Sequence, residues 1–526
     1  MKLIIIGAGP GGYETAVAAA RKGLDVTLVT AGPLGGTCLN EGCIPTKCFC
    51  HDAHLHHLLS GMLNPSDSDS DRSATSSVPD DALAGMVARK DAVVEQLRSG
   101  VESLLKGVEI VHGIARIVNA HTVHVWPTEA ESAADMSLSP EFDSGREYTA
   151  DRIIIATGSH PAWLNVPGAV DTPGVLSSSD MLRLKELPKR LTVIGGGVIG
   201  LEFASVFASL GSKVTVIEYC RTILPHFDAD LAKRLKQSLT KSGISILTGT
   251  EVTGISAAQE TYSDEPHAVG CRTENGSSAD ADCGNAPDWH PVQIVTVRSG
   301  EKTSAVVSDK VLMAVGRVAD TRVITGCKGI EADRKGIRVD DNMQTTLPGV
   351  YAIGDVNGRM MLAHAATFQG RVALEHILRD CASGSEGSLQ GGTDVPQHCC
   401  SSAIRLDIMP AAVFTVPEVA VVGLTEEDCK EKGIAFKALK SFYRANGKAL
   451  ASEAPEGYCK LIVAQPAQPN LRDGQILGCH ILGSGASDLI GEITALMNFN
   501  ATVSELRSII HPHPTLSEII QSCAAM

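Results

Sequence analysis

Apolar runs and glycine-rich turns form the same pattern twice along the chain. In the first copy, an apolar strand at 3–7 precedes an alanine-rich helical stretch and a second apolar strand that ends at Thr30. In the second copy, the same order runs from 191 to Glu218. Strands that alternate with helices predict parallel sheets, so the chain contains two copies of one α/β fold. The glycines of the two copies align at one constant offset, which sets Gly7 on Gly195, Gly9 on Gly197, Gly12 on Gly200 and Gly23 on Gly211.

Each copy places the pattern G-x-G-x-x-G between its first strand and its helix. Glycines at these positions let the backbone approach a pyrophosphate, which the positive end of the helix attracts. One such match could be a tight turn between packed elements, but two matches in register, each between a strand and a helix, favour nucleotide binding. We therefore predict two Rossmann-like dinucleotide-binding domains. The predicted contacts are Gly7, Gly9 and Gly12 in the first and Gly195, Gly197, Val198, Ile199 and Gly200 in the second.

Four polar stretches interrupt this pattern, at 66–81, 128–147, 257–290 and 383–402. They are rich in Ser, Asp and Gly and bury too little apolar surface to order themselves easily, so we predict surface loops or linkers. The strand-like segments after the last stretch predict a separate C-terminal α+β domain. The predicted boundaries are 1–160 and 316–382 for two parts of the first dinucleotide-binding domain, 161–315 for the second, 383–404 for a linker and 405–526 for the C-terminal domain.

Composition narrows the class of protein. The 526 residues carry a net charge of −15 without a long single-sign run, which argues against a nucleic-acid partner. No apolar run approaches the roughly 20 residues of a membrane span, and the N-terminus shows no signal-peptide cleavage pattern. The 15 cysteines are an odd number scattered over a long chain, which indicates a reducing compartment. We expect a cytoplasmic protein without a membrane or nucleic-acid partner.

A cysteine pair follows the first nucleotide-binding unit, in the segment GGTCLNEGCIPTK. Cys38 and Cys43 have four residues between them, and Lys47 follows one helical turn later. In a distorted first turn of a helix, sulfurs at this spacing can come within bonding reach, and a helix N-terminus lowers the pKa of a thiol. Because a reducing compartment keeps structural thiols reduced, a disulfide here would be catalytic. The spacing therefore predicts a redox-active dithiol.

This segment resembles the active-site disulfide segment of the pyridine nucleotide-disulfide oxidoreductases, in the version of those members that reoxidise lipoyl groups. The resemblance implies FAD on the first dinucleotide-binding domain, NAD on the second and a C-terminal dimerisation domain. It covers most of the chain outside the polar stretches and keeps the family's order. The matching motifs are ATGSHP at 156–161, VIGGGVIGLE at 193–202, AVGR at 314–317, YAIGDV at 351–356, MLAHAA at 361–366, FTVPEVAVVGL at 414–424 and HPHPTLSE at 511–518.

Carried over position by position, the resemblance implies further cofactor contacts. Asp355 would bind the FAD ribitol, and Lys47, paired with Glu202, would lie by the reactive edge of the flavin. A cation there can stabilise negative charge on the reduced ring. The other implied cofactor contacts are Thr30, Gly36, Thr37, Ala115, Thr157, Gly158, Ser159, Glu218, Gly316, Met361, Leu362, Ala363 and His364.

The resemblance also implies the catalytic roles. Cys43 would face the flavin, Cys38 would exchange with the substrate, and His513, oriented by Glu518, would be the acid/base. The nearby His511 could be a packing histidine, as could His513, but the HPT motif favours His513. In this family the histidine comes from the partner subunit, which implies a homodimer. The implied reaction is NAD-dependent oxidation of the dihydrolipoyl groups on lipoylated domains of a 2-oxo acid dehydrogenase or glycine cleavage complex.

Two other functions remain open at the level of the sequence. One is another FAD-dependent disulfide reductase of the same build. A glutathione-type enzyme would carry basic residues in place of Glu218, and a mercuric-type enzyme would have a cysteine pair at its C-terminus, where this chain has only Cys523. The second is an NADH-binding flavoprotein without disulfide chemistry, which the joint presence of the cysteine pair and His513 disfavours.

Thr30 departs from the family pattern, whereas Arg221 and the run at 48–57 stand outside it. Thr30 occupies the place where the family usually has an acid for the FAD ribose, so we expect weaker FAD binding. Glu218 is the acid expected for NAD, because a carboxylate repels the 2′-phosphate of NADP. Arg221 could reach such a phosphate, but a lone arginine is usually solvated. The run CFCHDAHLHH at 48–57 lacks the C-x-x-C spacing of zinc sites, so we predict no metal.

Overall fold

The computed structural model describes residues 1–63, 82–127, 145–261, 271–272, 289–383 and 404–526. These residues form two compact units, each assembled from three separate segments of the chain. The first unit contains 1–45, 91–160 and 317–407, and the second contains 46–90, 161–316 and 408–526. The predicted domain boundaries stay predictions.

The helices and strands of the described residues are numbered in chain order. The strands are β1 Lys2–Ile6, β2 Asp25–Thr30, β3 Glu109–His112, β4 Ile114–Asn119, β5 Thr122–Trp126, β6 Arg146–Thr149, β7 Arg152–Ile155, β8 Ser159–Pro161, β9 Val175–Leu176, β10 Arg190–Ile194, β11 Lys213–Glu218, β12 Ser245–Thr248, β13 Glu251–Thr261, β14 Cys271–Arg272, β15 Trp289–Ser299, β16 Lys302–Ser308, β17 Lys310–Met313, β18 Arg317–Ala319, β19 Val350–Ala352, β20 Ala411–Val413, β21 Val419–Gly423, β22 Phe436–Phe442, β23 Tyr458–Ala464 and β24 Ile476–Leu482. The helices are α1 Pro10–Arg21, α2 Gly36–Asn40, α3 Cys43–Leu63, α4 Ala82–Leu104, α5 Ser178–Met181, α6 Val198–Ser209, α7 Ala229–Lys241, α8 Ala363–Ser383, α9 Glu426–Glu431, α10 Gly447–Ala451, α11 Ala486–Asn498, α12 Val503–Arg507 and α13 Glu518–Ala524. Over the residues that the structure describes, no helix combines the length and apolar character needed to span a bilayer.

The first unit is built on a five-stranded parallel sheet in the order β19–β7–β1–β2–β3. Its central strand β1 is apolar on both faces, as strands of covered parallel sheets are. Ile5 packs in one buried cluster with Leu28 of β2, whereas Ile4 and Ile6 pack in another on the opposite face. A separate antiparallel sheet joins β4, β5 and β6.

The second unit repeats this architecture and adds two antiparallel sheets. Its parallel sheet has the order β9–β17–β10–β11–β12, and β10, α6 and β11 follow one another as β1, α1 and β2 do. One antiparallel sheet has the order β14–β13–β15–β16, and the other, in the C-terminal part, has the order β20–β21–β24–β23–β22 with helices α9 to α13. The predicted fold class, two Rossmann-like folds and a C-terminal α+β domain, is confirmed.

The structure corrects the prediction of a loop at 257–290 at both of its ends. Residues 257–261 continue β13 and pair with the start of β15 at 289–293. Ala258 and Val292 are buried there, so the pairing partner supplies the apolar contact that the local composition lacks. In the same way, Arg146 and Glu147 belong to β6, inside the stretch predicted as a loop at 128–147. The remainder of the four predicted loops lies outside the described residues, apart from Gly145, the short strand β14 and Ser383 at the end of α8.

Candidate active site

The first and third glycines of each glycine-rich loop leave no room for a side chain, because other backbone atoms pack closely against them. A Cβ atom on Gly7 would clash with the carbonyl oxygen of Ala156, and one on Gly195 would clash with that of Ala314. Both glycines have positive φ, +109° and +111°, a region that other residues rarely adopt. The third glycine of each loop, Gly12 and Gly200, packs equally closely against the carbonyl oxygen of Gly7 and Gly195, respectively.

The middle glycines face open space instead. No atom lies within 4 Å of a Cβ built on Gly9 or on Gly197. Each of these glycines caps a helix of 12 residues, α1 or α6, whose first N–H groups are directed at that space. Gly36 closes one side of the first loop, since a Cβ on it would press on the Cα of Gly9. Both loops therefore fit a pyrophosphate at a helix N-terminus.

The residues at the ends of β2 and β11 differ in the way that the sequence predicts. Glu218, which is buried, accepts hydrogen bonds from the N–H of Gly196 and of Cys220, both at 2.6 Å. Because each carboxylate oxygen has a further lone pair, Glu218 can also accept bonds from ribose hydroxyls. The equivalent Thr30 is buried and neutral, and its hydroxyl donates to the carbonyl oxygen of Gly32 at 2.9 Å.

Replacing Thr30 by glutamate is expected to tighten FAD binding by up to about tenfold. A charged acceptor for the ribose hydroxyls adds about 1 kcal/mol over a neutral one. The dissociation constant of FAD, measured by fluorescence after reconstitution of the FAD-free protein, checks this. Thr30→Gln is the matched control, because glutamine has nearly the same size as glutamate but carries no charge. Equal FAD affinity in wild type and Thr30→Glu would count against the anchor that we assign to this position.

NAD is expected to be preferred over NADP by at least about 100-fold in kcat/KM. Repulsion between the Glu218 carboxylate and a 2′-phosphate costs several kcal/mol, and about 2.7 kcal/mol is enough for a 100-fold ratio. Steady-state rates with both nucleotides measure it, and Glu218→Gln should narrow the ratio at little cost to NAD binding. Comparable kcat/KM for the two nucleotides in wild type would contradict the assignment.

The predicted flavin-contact residues of ATGSHP and YAIGDV meet in the first unit. Ser159 donates its hydroxyl to Asp355 Oδ2 at 2.5 Å, and Thr157 donates to the carbonyl oxygen of Asp320 at 2.7 Å. Gly158 has φ of +74°. The segment that crosses the carboxyl end of β7 is therefore tied to the segment that follows β19.

Arg317 is a residue of this cluster that the sequence did not predict. Its guanidinium donates to the hydroxyl of Ser159 at 2.7 Å and to the carbonyl oxygen of Ser159 at 2.6 Å, and it lies 3.9 Å from Asp355. Burial lowers the pKa of Arg317, whereas the charges of Asp355 and Cys43 oppose that shift. A partly buried guanidinium thus lies within electrostatic reach of Cys43. The signal was present, because Arg317 is the last residue of the AVGR motif.

The remaining predicted cofactor residues lie in five places. Gly36 and Thr37 are the first two residues of α2, and Ala115 is half-buried in β4. Met361 and Leu362 immediately precede α8, and Ala363 and His364 begin it. Val198 and Ile199 are the first two residues of α6, and Gly316, with φ of +119°, follows β17 by three residues.

The cysteine pair is split between two helices. Cys38 lies within α2, and Cys43 is the first residue of α3, so a helix break separates them where the sequence suggested one distorted turn. Asn40 fixes the end of α2, because its Nδ2 donates to the carbonyl oxygens of Leu34 at 2.9 Å and Gly36 at 2.8 Å. Arg98 of α4 in turn donates to Asn40 Oδ1 at 3.1 and 2.9 Å. This side-chain network holds the segment that carries Cys38.

The structure brings Lys47 and Glu202 into a bidentate ion pair. Lys47 Nζ lies 2.9 Å from both Oε1 and Oε2 of Glu202, although the two residues are 155 positions apart. The Glu202 side chain is 4% exposed, while that of Lys47 is 31% exposed. The Glu202 carboxylate is therefore neutralised inside the protein, while the Lys47 ammonium is partly exposed to solvent.

The two candidate histidines have different environments. His513 is 79% exposed, and its Nδ1 lies 2.9 Å from Glu518 Oε1. The N–H of Thr515 donates to Glu518 Oε2 at 2.9 Å, and this bond together with His513 lowers the pKa of Glu518. His511 is buried against Glu492 at 2.9 Å. Of these two, His513 presents its ring to the outside, with one nitrogen held by a carboxylate.

The cysteines and histidines after Lys47 form no metal site among the described residues. Burial raises the pKa of Cys50 to about 12, and the nearby Glu202 carboxylate contributes to the rise. Burial likewise raises the pKa of Cys48. His51 and His54 are exposed on α3. The thiols of Cys48 and Cys50 are therefore protonated, and these two cysteines serve as packing residues.

Comparison with known proteins shows the family. The profile described as pyridine nucleotide-disulphide oxidoreductase matches residues 1–370, and that of the family's dimerisation domain matches residues 409–524. The chain belongs to this family and is an oxidoreductase. It is 36% identical to a dihydrolipoyl dehydrogenase of Thermus scotoductus over 99% of this chain and 96% of that protein, and 34% identical to one of Geobacillus stearothermophilus over 99% and 95%. Among solved structures, the HOCl-induced flavoprotein disulfide reductase RclA of Escherichia coli matches with a TM-score of 0.74 and 28% identity over 100% of both chains.

Family membership confirms the predicted cofactors, FAD and NAD. In the structure, the open space at Gly9 and at Gly197 and the hydrogen-bonded acid at Glu218 fit these two dinucleotides. Three of the predicted flavin contacts, Asp355, Ser159 and Thr157, take part in hydrogen bonds within the first unit. The roles of individual site residues stay predictions.

Proposed function

We propose that this enzyme oxidises protein-bound dihydrolipoyl groups to lipoyl groups with NAD as the electron acceptor. The observation that carries the proposal is the cysteine pair on a segment fixed by Asn40, followed within one helix by Lys47 in its ion pair with Glu202. The relatives named dihydrolipoyl dehydrogenase support the same activity.

The proposed reaction starts when one dihydrolipoyl thiol loses its proton to solvent and the resulting thiolate attacks Cys38 Sγ of the Cys38–Cys43 disulfide. The S–S bond breaks, a mixed disulfide forms with Cys38, and Cys43 leaves as a thiolate. His513 takes the proton of the second dihydrolipoyl thiol, whose sulfur then attacks the first and releases Cys38. Glu518 holds the imidazole and stabilises the imidazolium that forms. In sum, the dithiol loses two electrons and two protons, while NAD takes two electrons and one proton and the second proton goes to solvent.

FAD, when bound, supplies the two-electron carrier between the cysteine pair and NAD. The chain's residues place it and adjust its surroundings. The loop at Gly9 would hold the pyrophosphate, and Asp355 would hold the ribitol. The Lys47 ammonium, neutralised on one side by Glu202, would favour negative charge at the edge of the ring system.

A cavity of about 290 Å³ between α1 and α8 is the proposed entrance for the dithiol. Tyr13 lines it, and burial first, then Glu14 and then Cys38 raise the pKa of Tyr13; Cys38 itself does not line the cavity. Val17 and Leu374 provide apolar walls suited to a hydrocarbon arm, and Arg371 adds a positive charge.

Replacing Arg371 by methionine is expected to lower kcat/KM for free dihydrolipoate about fivefold and to leave that for dihydrolipoamide nearly unchanged. Only dihydrolipoate carries a carboxylate that the exposed Arg371 can attract, and such a pair contributes up to about 1 kcal/mol. Rates of NADH formation with both dithiols measure the effect. If both substrates lose activity equally, or neither does, the cavity is not the route of the dithiol.

We further propose that the enzyme is a homodimer whose partner subunit supplies His513, and that its protein substrates are lipoylated domains of a 2-oxo acid dehydrogenase or glycine cleavage complex. The match to the family's dimerisation domain supports the first part, and the named relatives support the second. The cytoplasmic location stays a prediction.

Two alternatives define the controls. A mercuric-type reductase would need an accessible C-terminal cysteine pair, but Cys523 is buried and donates its thiol to the carbonyl oxygen of Leu439. A glutathione-type reductase would favour NADPH, which Glu218 opposes. The test compares kcat/KM for dihydrolipoamide with NAD against that for glutathione disulfide with NADPH. We expect the first to exceed the second by at least about 10³-fold, and the reverse order would overturn the proposal.

A further inference from the structure

The backbone of residues 414–416 is fixed to helix α6 at two points. The N–H of Phe414 donates to Glu202 Oε1 at 3.0 Å, and the N–H of Val416 donates to Ser205 Oγ at 3.2 Å. Glu202 and Ser205 are buried and stand three residues apart, on one face of α6. The segment therefore has a defined position relative to the Glu202 carboxylate.

The same segment brings an aromatic ring to Lys47. Lys47 Nζ lies 4.4 Å from the centroid of the Phe414 ring, within the distance at which a ring attracts a cation. The ammonium thus has the two oxygens of Glu202 as one partner and the face of Phe414 as another. Phe414 is half-buried and belongs to none of the buried apolar clusters in the described part of the chain. Its ring contact with Lys47 is therefore not a by-product of core packing.

We infer that Phe414 is a positioning residue for Lys47: its peptide N–H orients the Glu202 carboxylate, and its ring holds the Lys47 ammonium in place. The inference rests on the proposed place of Lys47 beside the flavin. Both contacts come from one residue, so a change of its side chain removes the ring contact and leaves the peptide hydrogen bond. Phe414 thereby links the start of the C-terminal part of the chain to the cation that acts on the cofactor.

The first test measures how fast Lys47 of the holoenzyme is acetylated by a limiting amount of acetic anhydride, with peptide mass spectrometry as the readout. Loss of the ring in Phe414→Leu removes the contact that holds and partly covers the Lys47 nitrogen, so the reagent reaches it more easily. We expect acetylation of Lys47 to become about two- to fivefold faster. Phe414→Tyr keeps a ring and should match wild type. Exposed Lys448 serves as an internal reference in every variant.

A second measurement in the same variants is the midpoint potential of the bound flavin. Phe414→Leu should lower it relative to wild type and Phe414→Tyr, because a less fixed cation stabilises the reduced ring less. Phe414→Met is a second variant without a ring, in case leucine disturbs folding. An unchanged Lys47 acetylation rate in both ringless variants would overturn the inference, and so would an unchanged flavin potential. Neither measurement uses a dithiol, so a wrong substrate assignment leaves both results interpretable.

Discussion

Serine in place of Cys38 is expected to abolish NAD reduction by dihydrolipoamide, with a loss of at least about 10³-fold in kcat. The hydroxyl of serine can form neither the disulfide with Cys43 nor the mixed disulfide with the substrate, and removal of the residue that forms the covalent intermediate costs at least this factor in enzymes that use covalent catalysis. The rate of NADH formation at 340 nm measures the loss. The visible spectrum of the bound flavin should stay, because Cys38 lies in the short helix α2 and Asn40 holds that segment.

The matched control for this prediction is Cys327→Ser. Cys327 is a partly exposed cysteine of the same unit, remote from the pair in sequence. Its replacement should leave the rate within about twofold of wild type, as surface substitutions usually do. If Cys38→Ser retains more than a tenth of the activity, the cysteine pair does not carry the electrons.

Glutamine in place of His513 is expected to lower kcat by about 10²- to 10⁴-fold at neutral pH. A free thiol has a pKa of about 8.5 and is mostly protonated at neutral pH, so the second dihydrolipoyl thiol depends on a base. The loss should shrink as pH rises towards 9, because the thiol then ionises without help. A pH–rate profile of both enzymes measures this. A loss that stays constant up to pH 9 would show that His513 supports structure and does not take the proton.

Glu518→Gln should have a smaller effect of the same kind. The amide keeps the hydrogen bond from the N–H of Thr515 but cannot stabilise the imidazolium.

Mixing Cys38→Ser chains with His513→Gln chains under exchange conditions tests the shared site. In the resulting heterodimers, one of the two sites would combine intact Cys38 and intact His513, so about half of the wild-type activity per dimer should return. No recovery would contradict the shared site.

The repeat of strand, glycine loop and helix allowed the two nucleotide-binding folds to be predicted, because their glycines have local causes. Gly7 and Gly195 need positive φ, and the neighbouring carbonyl oxygens of Ala156 and Ala314 leave no room for a Cβ. Such steric demands act within one strand–loop–helix unit and its neighbouring strand. The glycines therefore recur at regular positions in the sequence.

Contacts between distant segments were less accessible to sequence analysis. The pairing of Lys47 with Glu202 was implied only by resemblance, since no local pattern joins residues 155 positions apart. Phe414 was missed as a site residue because its partner Lys47 comes from a distant part of the chain. Arg317 was missed although it ends the AVGR motif, because the motif does not show its contact with the distant Ser159. The strand at 257–261 was missed because its apolar contacts come from the partner strand β15. The helix break between Cys38 and Cys43 depends on the Asn40 side-chain network, which the spacing of the cysteines does not reveal.

The most direct test of the proposed mechanism is a thiol count on the oxidised holoenzyme before and after one equivalent of NADH under anaerobic conditions. Alkylation followed by peptide mass spectrometry identifies each cysteine that becomes reactive. We expect Cys38 and Cys43 to gain label together on addition of NADH, while buried Cys459, Cys479 and Cys523 do not change. If Cys38 and Cys43 are labelled to the same extent without NADH, or do not respond to it, the pair does not cycle between disulfide and dithiol and the central claim is wrong.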